Sequence, residues 1–268
     1  VKAPRITIGL DAPALARGVG FFETVWVLRR RAVFLRRHFR RLACSCRDLG
    51  VPAPSLEIVE GAVAKILKRA GPGEFGMRWS YLALEKDLDD PRSWTFLPML
   101  FSIPEEVLRK RRGVRAVTLP RELRRIAPRW KTIDYRASVA GGRLAARSRA
   151  DEGIFLDSRG RVLEGTASNV YVLRGPKGST APPAAGILSG VVRSWVIENA
   201  PRAGITLNKT LFAPPRMLQG SFLSSSLAGI VPVITMDGKK CDPPGREFVE
   251  LRELYRQDTE AGRGDIAI

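Results

Sequence analysis

The sequence predicts an α/β (α+β) protein of two domains, residues 1–119 and 120–268. Three observations lead there. Strand-like alternation and helix-like periodicity take turns along the chain, and a Pro- and Arg-rich stretch, PRELRRIAPRWK, interrupts them from Pro120 and reads as a linker. A chain of 268 residues with 44% hydrophobic side chains also suffices for one large core or two modest ones.

Residues 5–9, RITIG, read as a short strand, and GVGFFETVWVL at 18–28 alternates into a longer one. The arginines at 29–31 reverse the chain, so that AVFLR at 32–36 pairs back as a hairpin. Phe39, Leu42, Cys46 and Leu49 stand at helical spacing over 37–50, and Gly50 ends that helix. Ser55 is placed to cap a second helix running to Ala70, with Gly71, Pro72 and Gly73 as its stop. FGMRWSYLALEK (75–86) and SWTFLPMLFSI (93–103) add two strands, and GVRAVTL (113–119) is expected to be the last strand of the first domain. Beyond the linker come a helix over 136–149, a hairpin turning at 157–160 and a strand at 168–175. A flexible Gly/Pro/Ser/Ala stretch follows to Ala185, then a helix over 186–200 that opens at Ser189 or Gly190. Residues 220–238 hold two strands around a polar turn at Ser224 to Ser226. No internal repeat is visible.

Composition excludes several classes. No apolar run approaches the roughly 20 residues of a membrane span, and the first residues, VKAPRITIGLDAP, lack the apolar core of a secretory signal, so the protein is expected in the cytoplasm. Cys44, Cys46 and Cys241 offer neither a zinc spacing nor a disulfide framework, and no metal is expected. The net charge of +18 raises a nucleic-acid reading. Yet the arginines are scattered and not interleaved with aromatics that stack bases, so a solvated basic surface is the expectation, with nucleic acid and membrane both set aside as partners. A single histidine, His38, leaves little to build a Ser-His-Asp triad or a multi-histidine metal centre.

The stretch from Trp130 to Val172 carries the chemistry. It holds Lys131 ahead of an Ala/Arg-rich helix, Glu164 near the end of a hairpin strand, and a polar cluster of Thr166, Ser168 and Asn169. A lysine alone is ordinarily a solvated surface group, and a strand-end glutamate likewise. Together, KTIDY, EGIFLD and EGTASNVYV resemble the signature of the class IV aminotransferases, the fold-type IV pyridoxal-phosphate enzymes, which include 4-amino-4-deoxychorismate lyase and the D-amino-acid and branched-chain aminotransferases. The resemblance runs from Gly20 to Gly238 and implies the two-domain fold of that family, a homodimer, and pyridoxal 5′-phosphate bound between the domains.

It also implies roles. Lys131 matches the Schiff-base lysine, which moves the substrate proton as well, and Glu164 the acid that keeps the pyridine nitrogen protonated. Arg41, three residues after His38 and before Leu42, matches a phosphate-binding arginine, although Arg36, Arg37 and Arg40 around it also fit a merely basic helix face. Backbone N–H groups of Val191 and Val192 at a helix start would add to the phosphate site, as would Ser226 in SSSLAG. The family usually has threonine where Val192 stands, so one hydroxyl is missing. Tyr135 either hydrogen-bonds the cofactor's phenolic oxygen or packs at the helix start. Phe22, Glu23, Arg78 and Leu227 are the expected substrate pocket, while His38 is expected to be structural.

The short chain, the tyrosine four residues after the lysine and the SSSLAGIVPV turn lean towards the lyase or a D-amino-acid-type enzyme. The lyase would release pyruvate and 4-aminobenzoate after Lys131 removes a ring proton. Both kinds usually carry Arg-Gly where this chain has Leu84 and Glu85, which leaves Arg78 or a linker arginine to hold the substrate carboxylate. The alternatives are an amino-acid aminotransferase and, from another class, a basic binding protein that has kept the fold without the chemistry.

Overall fold

The computed structural model describes residues 7–125 and 128–262. The chain forms two compact units, the first of Val1–Ile103, Trp130–Asp134 and Asp258–Ile268, the second of Pro104–Arg129 and Tyr135–Gln257.

In the first unit, α1 (Pro13–Ala16), β1 (Gly20–Leu28), β2 (Arg31–Ala32), α2 (Leu35–Asp48), α3 (Leu56–Leu67), β3 (Glu74–Ala83) and β4 (Trp94–Phe101) follow one another. The strands form one antiparallel sheet in the order β2-β1-β3-β4. Strand alternation sends Val25 and Val27 of β1, with Met77 and Trp79 of β3, into a core closed by Leu35 of α2 and Val59, Val63 and Leu67 of α3. Ser55 caps α3, its hydroxyl accepting from Ile58 N–H at 3.2 Å, as expected. The β1–β2 turn bends through Arg29 and Arg30, both left-handed (φ 50° and 61°), the hand that matches strand twist. Phe34, at φ 56°, turns the chain again, so β2 stops after two residues and α2 starts at Leu35 instead of the expected 37. The strand expected at 5–9 begins outside the described residues, and 7–9 form no strand.

The second unit contains α4 (Glu105–Lys110), β5 (Val114–Thr118), α5 (Arg136–Arg147), β6 (Glu152–Leu156), β7 (Val162–Gly165), β8 (Asn169–Arg174), β9 (Lys177–Thr180), α6 (Val191–Asn199), β10 (Thr206–Lys209), β11 (Ser221–Ser225), β12 (Gly229–Met236), β13 (Lys239–Lys240) and most of α7 (Arg246–Ala261). Its nine strands run β10-β9-β8-β11-β12-β5-β6-β7 with β13 on β12, and β7 returns to pair with β8. Six strands thereby close into a ring, with Ile154, Val162, Val170, Leu223, Val231 and Val233 among the core side chains.

Two expectations are corrected here. GVRAVTL does form a strand, but β5 pairs in parallel with β6 and β12 and so belongs to the second sheet, a partnership between distant segments that no local pattern announces. The stretch after Arg174 is ordered, not flexible: β9 pairs with β8 and β10, and a 3₁₀ turn spans Pro183–Ala185. Among the described residues, no helix is long and apolar enough to cross a membrane.

Helix α5 lies on β6 through a small-residue face, where a Cβ on Gly141 would stand 2.8 Å from both Leu119 Cδ1 and Thr166 Cγ2. Around Gly142, the next residue, nothing lies within 4 Å. Helix propensity favours alanine at both by about 1 kcal/mol, so only packing separates them. Gly142→Ala is expected to raise stability by up to about that amount, and Gly141→Ala to lower it by about 1–3 kcal/mol, both read from urea unfolding midpoints.

Candidate active site

Lys131 sits in a short segment, Trp130–Asp134, clipped onto the start of β1 in the first unit. Phe22 N–H donates to Lys131 O (2.9 Å), Ile133 N–H donates to Gly20 O (3.1 Å), and Thr132 bridges Phe21. Gly20 is needed for this approach, since a Cβ there would meet Tyr81 O at 2.9 Å and Ile133 Cδ1 at 3.2 Å. The lysine backbone is thus fixed although it belongs to no regular element. Its Nζ lies 4.4 Å from the centre of the Phe22 ring, and the Arg78 guanidinium carbon lies 3.9 Å from the same centre. The register explains the meeting: Thr24 pairs with Arg78 and Phe22 with Ser80, so Phe22 and Arg78 share one face of the sheet. Each cation is attracted by the quadrupole of the Phe22 ring, which gathers both at one aromatic side chain despite their like charge.

Glu23 points the other way. Strand alternation turns it towards α2, where it is 1% exposed. Arg41 grips it with Nε to Oε1 (2.8 Å) and Nη2 to Oε2 (2.5 Å), and His38 Nδ1 is 2.7 Å from Oε2. The expected pocket role for Glu23 gives way to another: it orients Arg41 with a bidentate, charge-assisted fork. Burial alone would raise its pKa, but the charge of Arg41 and the contact with His38 overcome that and hold the carboxyl at about 2, against an ordinary 4.5. His38, 1% exposed and edge-on to Trp79, is pulled below its ordinary 6.5 by burial, with Glu23 opposing and Arg41 and Lys131 adding to the pull. Its Nδ1 faces carboxylate oxygens that only accept, so the Nδ1–H donates to Glu23.

In the second unit the two sequence motifs meet at one point. Glu164 pairs with Asn169 across the short turn, Thr166 to Ser168, that joins β7 to β8, the pair that closes the ring of strands. Glu164 is 4% exposed; Arg125 Nη1 donates to its Oε1 at 2.6 Å and Leu188 N–H to its Oε2 at 3.0 Å. Asn169 Nδ2 donates to Leu188 O at 3.0 Å. Both polar groups of the Leu188 peptide are therefore held by the closing pair. Two residues on, Gly190 occupies the N-cap position of α6 with no side chain to cap it, and a Cβ there would strike Asn169 Oδ1 at 2.1 Å. Buried Arg193, in the first turn of α6, donates to Ala181 O at 2.8 Å; burial lowers its pKa while Tyr171 and Glu164 oppose that electrostatically.

The turn between Glu164 and Asn169 is itself anchored. Thr166 donates its N–H (2.7 Å) and its hydroxyl to Oε1 of Glu152, which is 3% exposed, and Tyr135 donates its hydroxyl to Thr166 O at 3.0 Å. Tyr135 thus stands at the N-cap of α5 with its phenol on a backbone carbonyl, and burial raises its pKa. Ser226 and Leu227 lie half-buried in the β11–β12 turn.

The donor set suits an anionic, heteroaromatic cofactor. Val191 and Val192 are 4% and 3% exposed at the first turn of α6, whose N-cap offers no side-chain hydrogen bond and whose first turn has no acidic residue. A buried helix start left uncapped presents its N–H groups and positive dipole end to an anion. Ser168 Oγ, in the Thr166 turn, is buried without a hydrogen-bond partner among the described residues. Among those residues no group of three or more His, Cys, Asp or Glu side chains could hold a metal ion.

Arg125 and Glu152 escaped assignment from the sequence, and Asn169 was marked only as a member of the polar cluster. Arg125 lies in an apparent linker with no pattern to mark it. Glu152 had a signal, being a charged residue in the strand EGIFL whose other positions are all apolar or glycine and all buried.

Comparison with known proteins is specific. Residues 20–235 match the amino-transferase class IV family. Over 264 residues the chain is 31% identical to the bifunctional aminodeoxychorismate lyase / D-amino acid transaminase of Mycobacterium tuberculosis, covering 90% of each. It is 27% identical over 255 residues to the aminodeoxychorismate lyase of Bacillus subtilis, covering 90% of this chain and 86% of that one. A solved structure of a hypothetical aminotransferase from Mycobacterium tuberculosis, in a PLP-bound form, superposes with a TM-score of 0.87 at 28% identity, covering 98% of this chain and 96% of that one. The chain belongs to the class IV aminotransferase family and is an enzyme of that class.

The Glu23 arrangement carries a pH signature. A carboxyl held at about 2 contributes stability that is complete above its ordinary 4.5 and is lost as pH falls from there towards 2. Glu23→Gln is expected to be less stable than the native chain by about 3 kcal/mol at neutral pH, with the deficit shrinking across that acid window. Thermal unfolding of both proteins against pH measures it, and a deficit independent of pH would contradict the ion pair.

Proposed function

We propose that the chain binds pyridoxal 5′-phosphate and acts as a 4-amino-4-deoxychorismate lyase, releasing 4-aminobenzoate and pyruvate. The observation that carries the cofactor reading is Glu164, a buried carboxylate that accepts from Arg125 and from a backbone N–H and is set beside an uncapped helix start. Such an acid suits a protonated pyridine nitrogen. Bound there, the cofactor supplies an electron sink for the carbon that loses a proton. Lys131, fixed on β1, is the amine that takes the cofactor's aldehyde and then moves the proton. Arg41, the N–H groups of Val191 and Val192, and Ser226 hold the phosphate. Phe22, on the Lys131 side, and Leu227 are the apolar residues assigned to the substrate.

The lyase reading draws on the aminodeoxychorismate lyase names among the relatives and on the SSSLAG turn. An amino-acid aminotransferase of D- or branched-chain type is the second reading, supported by the transaminase names among the relatives; in either reading Arg78, whose guanidinium shares Phe22 with Lys131, is placed to take a substrate carboxylate. The same reading has the enzyme work as a homodimer in the cytoplasm, in keeping with three unpaired cysteines.

Borohydride treatment of the protein supplied with the cofactor is expected to attach it to Lys131, and Lys131→Ala to abolish both the attachment and the visible band. Catalysis should fall by about 10³-fold or more in that variant. Formation of 4-aminobenzoate and pyruvate without any amino acceptor identifies the lyase, whereas turnover that requires a 2-oxo acid identifies the aminotransferase. Equal labelling of Lys131→Ala would overturn the assignment.

A further inference from the structure

Two adjacent residues at the end of α4 reach both turns on which the second unit's part of the site depends. Lys110 places Nζ 3.4 Å from Glu152 Oε2, and the other oxygen of that buried carboxylate takes the N–H and the hydroxyl of Thr166. Arg111 places Nε and Nη2 at 3.1 and 2.8 Å from the carbonyl oxygen of Leu227, in the turn that carries Ser226. Arg252 of α7 donates to Arg111 O at 3.0 Å and so fixes the dipeptide from behind.

We propose that Lys110 and Arg111 are positioning residues for cofactor binding, Lys110 acting through Glu152 on the Glu164–Asn169 turn and Arg111 on the Ser226–Leu227 turn. The inference rests on the reading that Glu164 meets the ring nitrogen and the Ser226 turn the phosphate. The backbone gives Arg111 a direct hold on turn geometry. In a trans peptide the carbonyl and the following N–H point in opposite directions. A guanidinium that takes Leu227 O therefore aims Ala228 N–H back into the turn, where Ser225 Oγ stands 3.4 Å away. Without that fork the peptide is free to rotate and the turn loses its arrangement of N–H and hydroxyl donors. Lys110 works on a different arm: neutralising Glu152 on one oxygen leaves the other to grip Thr166, one residue beyond Gly165 in the closing hairpin. Loss of Lys110 leaves a buried carboxylate without its cation, which loosens the grip on that hairpin.

The two arms separate in a binding experiment. Dissociation constants for pyridoxal phosphate and for pyridoxal, which lacks the phosphate, are measured by equilibrium dialysis for the native protein, Arg111→Gln, Arg111→Lys and Lys110→Met. Arg111→Gln is expected to lower the preference for pyridoxal phosphate over pyridoxal by about 10-fold, and Arg111→Lys, which offers a point charge without a fork, by an intermediate factor. Lys110→Met is expected to weaken both ligands alike and to leave the preference unchanged. Amide hydrogen exchange on the same proteins without cofactor should quicken at 225–229 in the Arg111 variants and at 164–169 in Lys110→Met. An unchanged preference in the Arg111 variants, or quickened exchange that is not confined to the assigned turn, overturns the proposal. If Arg111→Gln does not fold, Arg111→Lys decides it on the same two readings. A native protein that binds neither ligand instead removes the cofactor reading itself, while the exchange pattern still decides the clamp.

Discussion

The pairing of Glu164 with Asn169 is the constraint on which the second unit depends. It closes a ring of six strands, and in doing so it fixes both polar groups of the Leu188 peptide and hence the entry to α6. An isolated buried carboxylate is costly, and Arg125 at 2.6 Å offsets that cost. The same three contacts serve fold and site together. Closure of the ring places a buried carboxyl and a bare helix start in one region without any dedicated binding loop.

The first unit uses alternation to the same end. Along β1, Phe22 faces Lys131 and Arg78 while its neighbour Glu23 faces His38 and Arg41. One strand therefore presents an aromatic wall on one side and a buried anchor for an arginine on the other. That division accounts for some of the chain's excess of basic residues: Arg41, Arg111 and Arg125, together with Lys110, are each spent on a defined acceptor rather than on solvent. The clamp formed by Lys110 and Arg111 extends the pattern, because long cationic side chains reach across elements to carbonyls and carboxylates that short polar residues could not meet.

Much of this was legible in the sequence, and what was not has physical reasons. Ser55 and Gly190 marked helix starts through capping chemistry that is local, and the hairpin at Asp157 was marked by an aspartate that accepts from the N–H groups of Arg159 and Arg161. Lys131 and Glu164 were found because their flanking motifs resemble a family, not because lysine or glutamate declares a role. The partner of β5 was hidden, since parallel pairing joins segments far apart in the chain. The direction of Glu23 was available from the period of two along β1 but was masked by the pull of a pocket role. α7 went unread although Phe248, Leu251 and Tyr255 stand at helical spacing and are all buried. β9 was mistaken for a flexible stretch because its residues, KGST, have the composition of a loop and are ordered by their neighbours β8 and β10.

The central claim is that Lys131 and Glu164 act on the two ends of one cofactor, and a high-resolution crystal structure grown with pyridoxal phosphate tests it most directly. The expected result is density continuous from Lys131 Nζ into the cofactor, with a Glu164 oxygen at hydrogen-bond distance from the pyridine nitrogen and Arg125 still on that carboxylate. A cofactor not joined to Lys131, or a ring nitrogen facing a group other than Glu164, would contradict it.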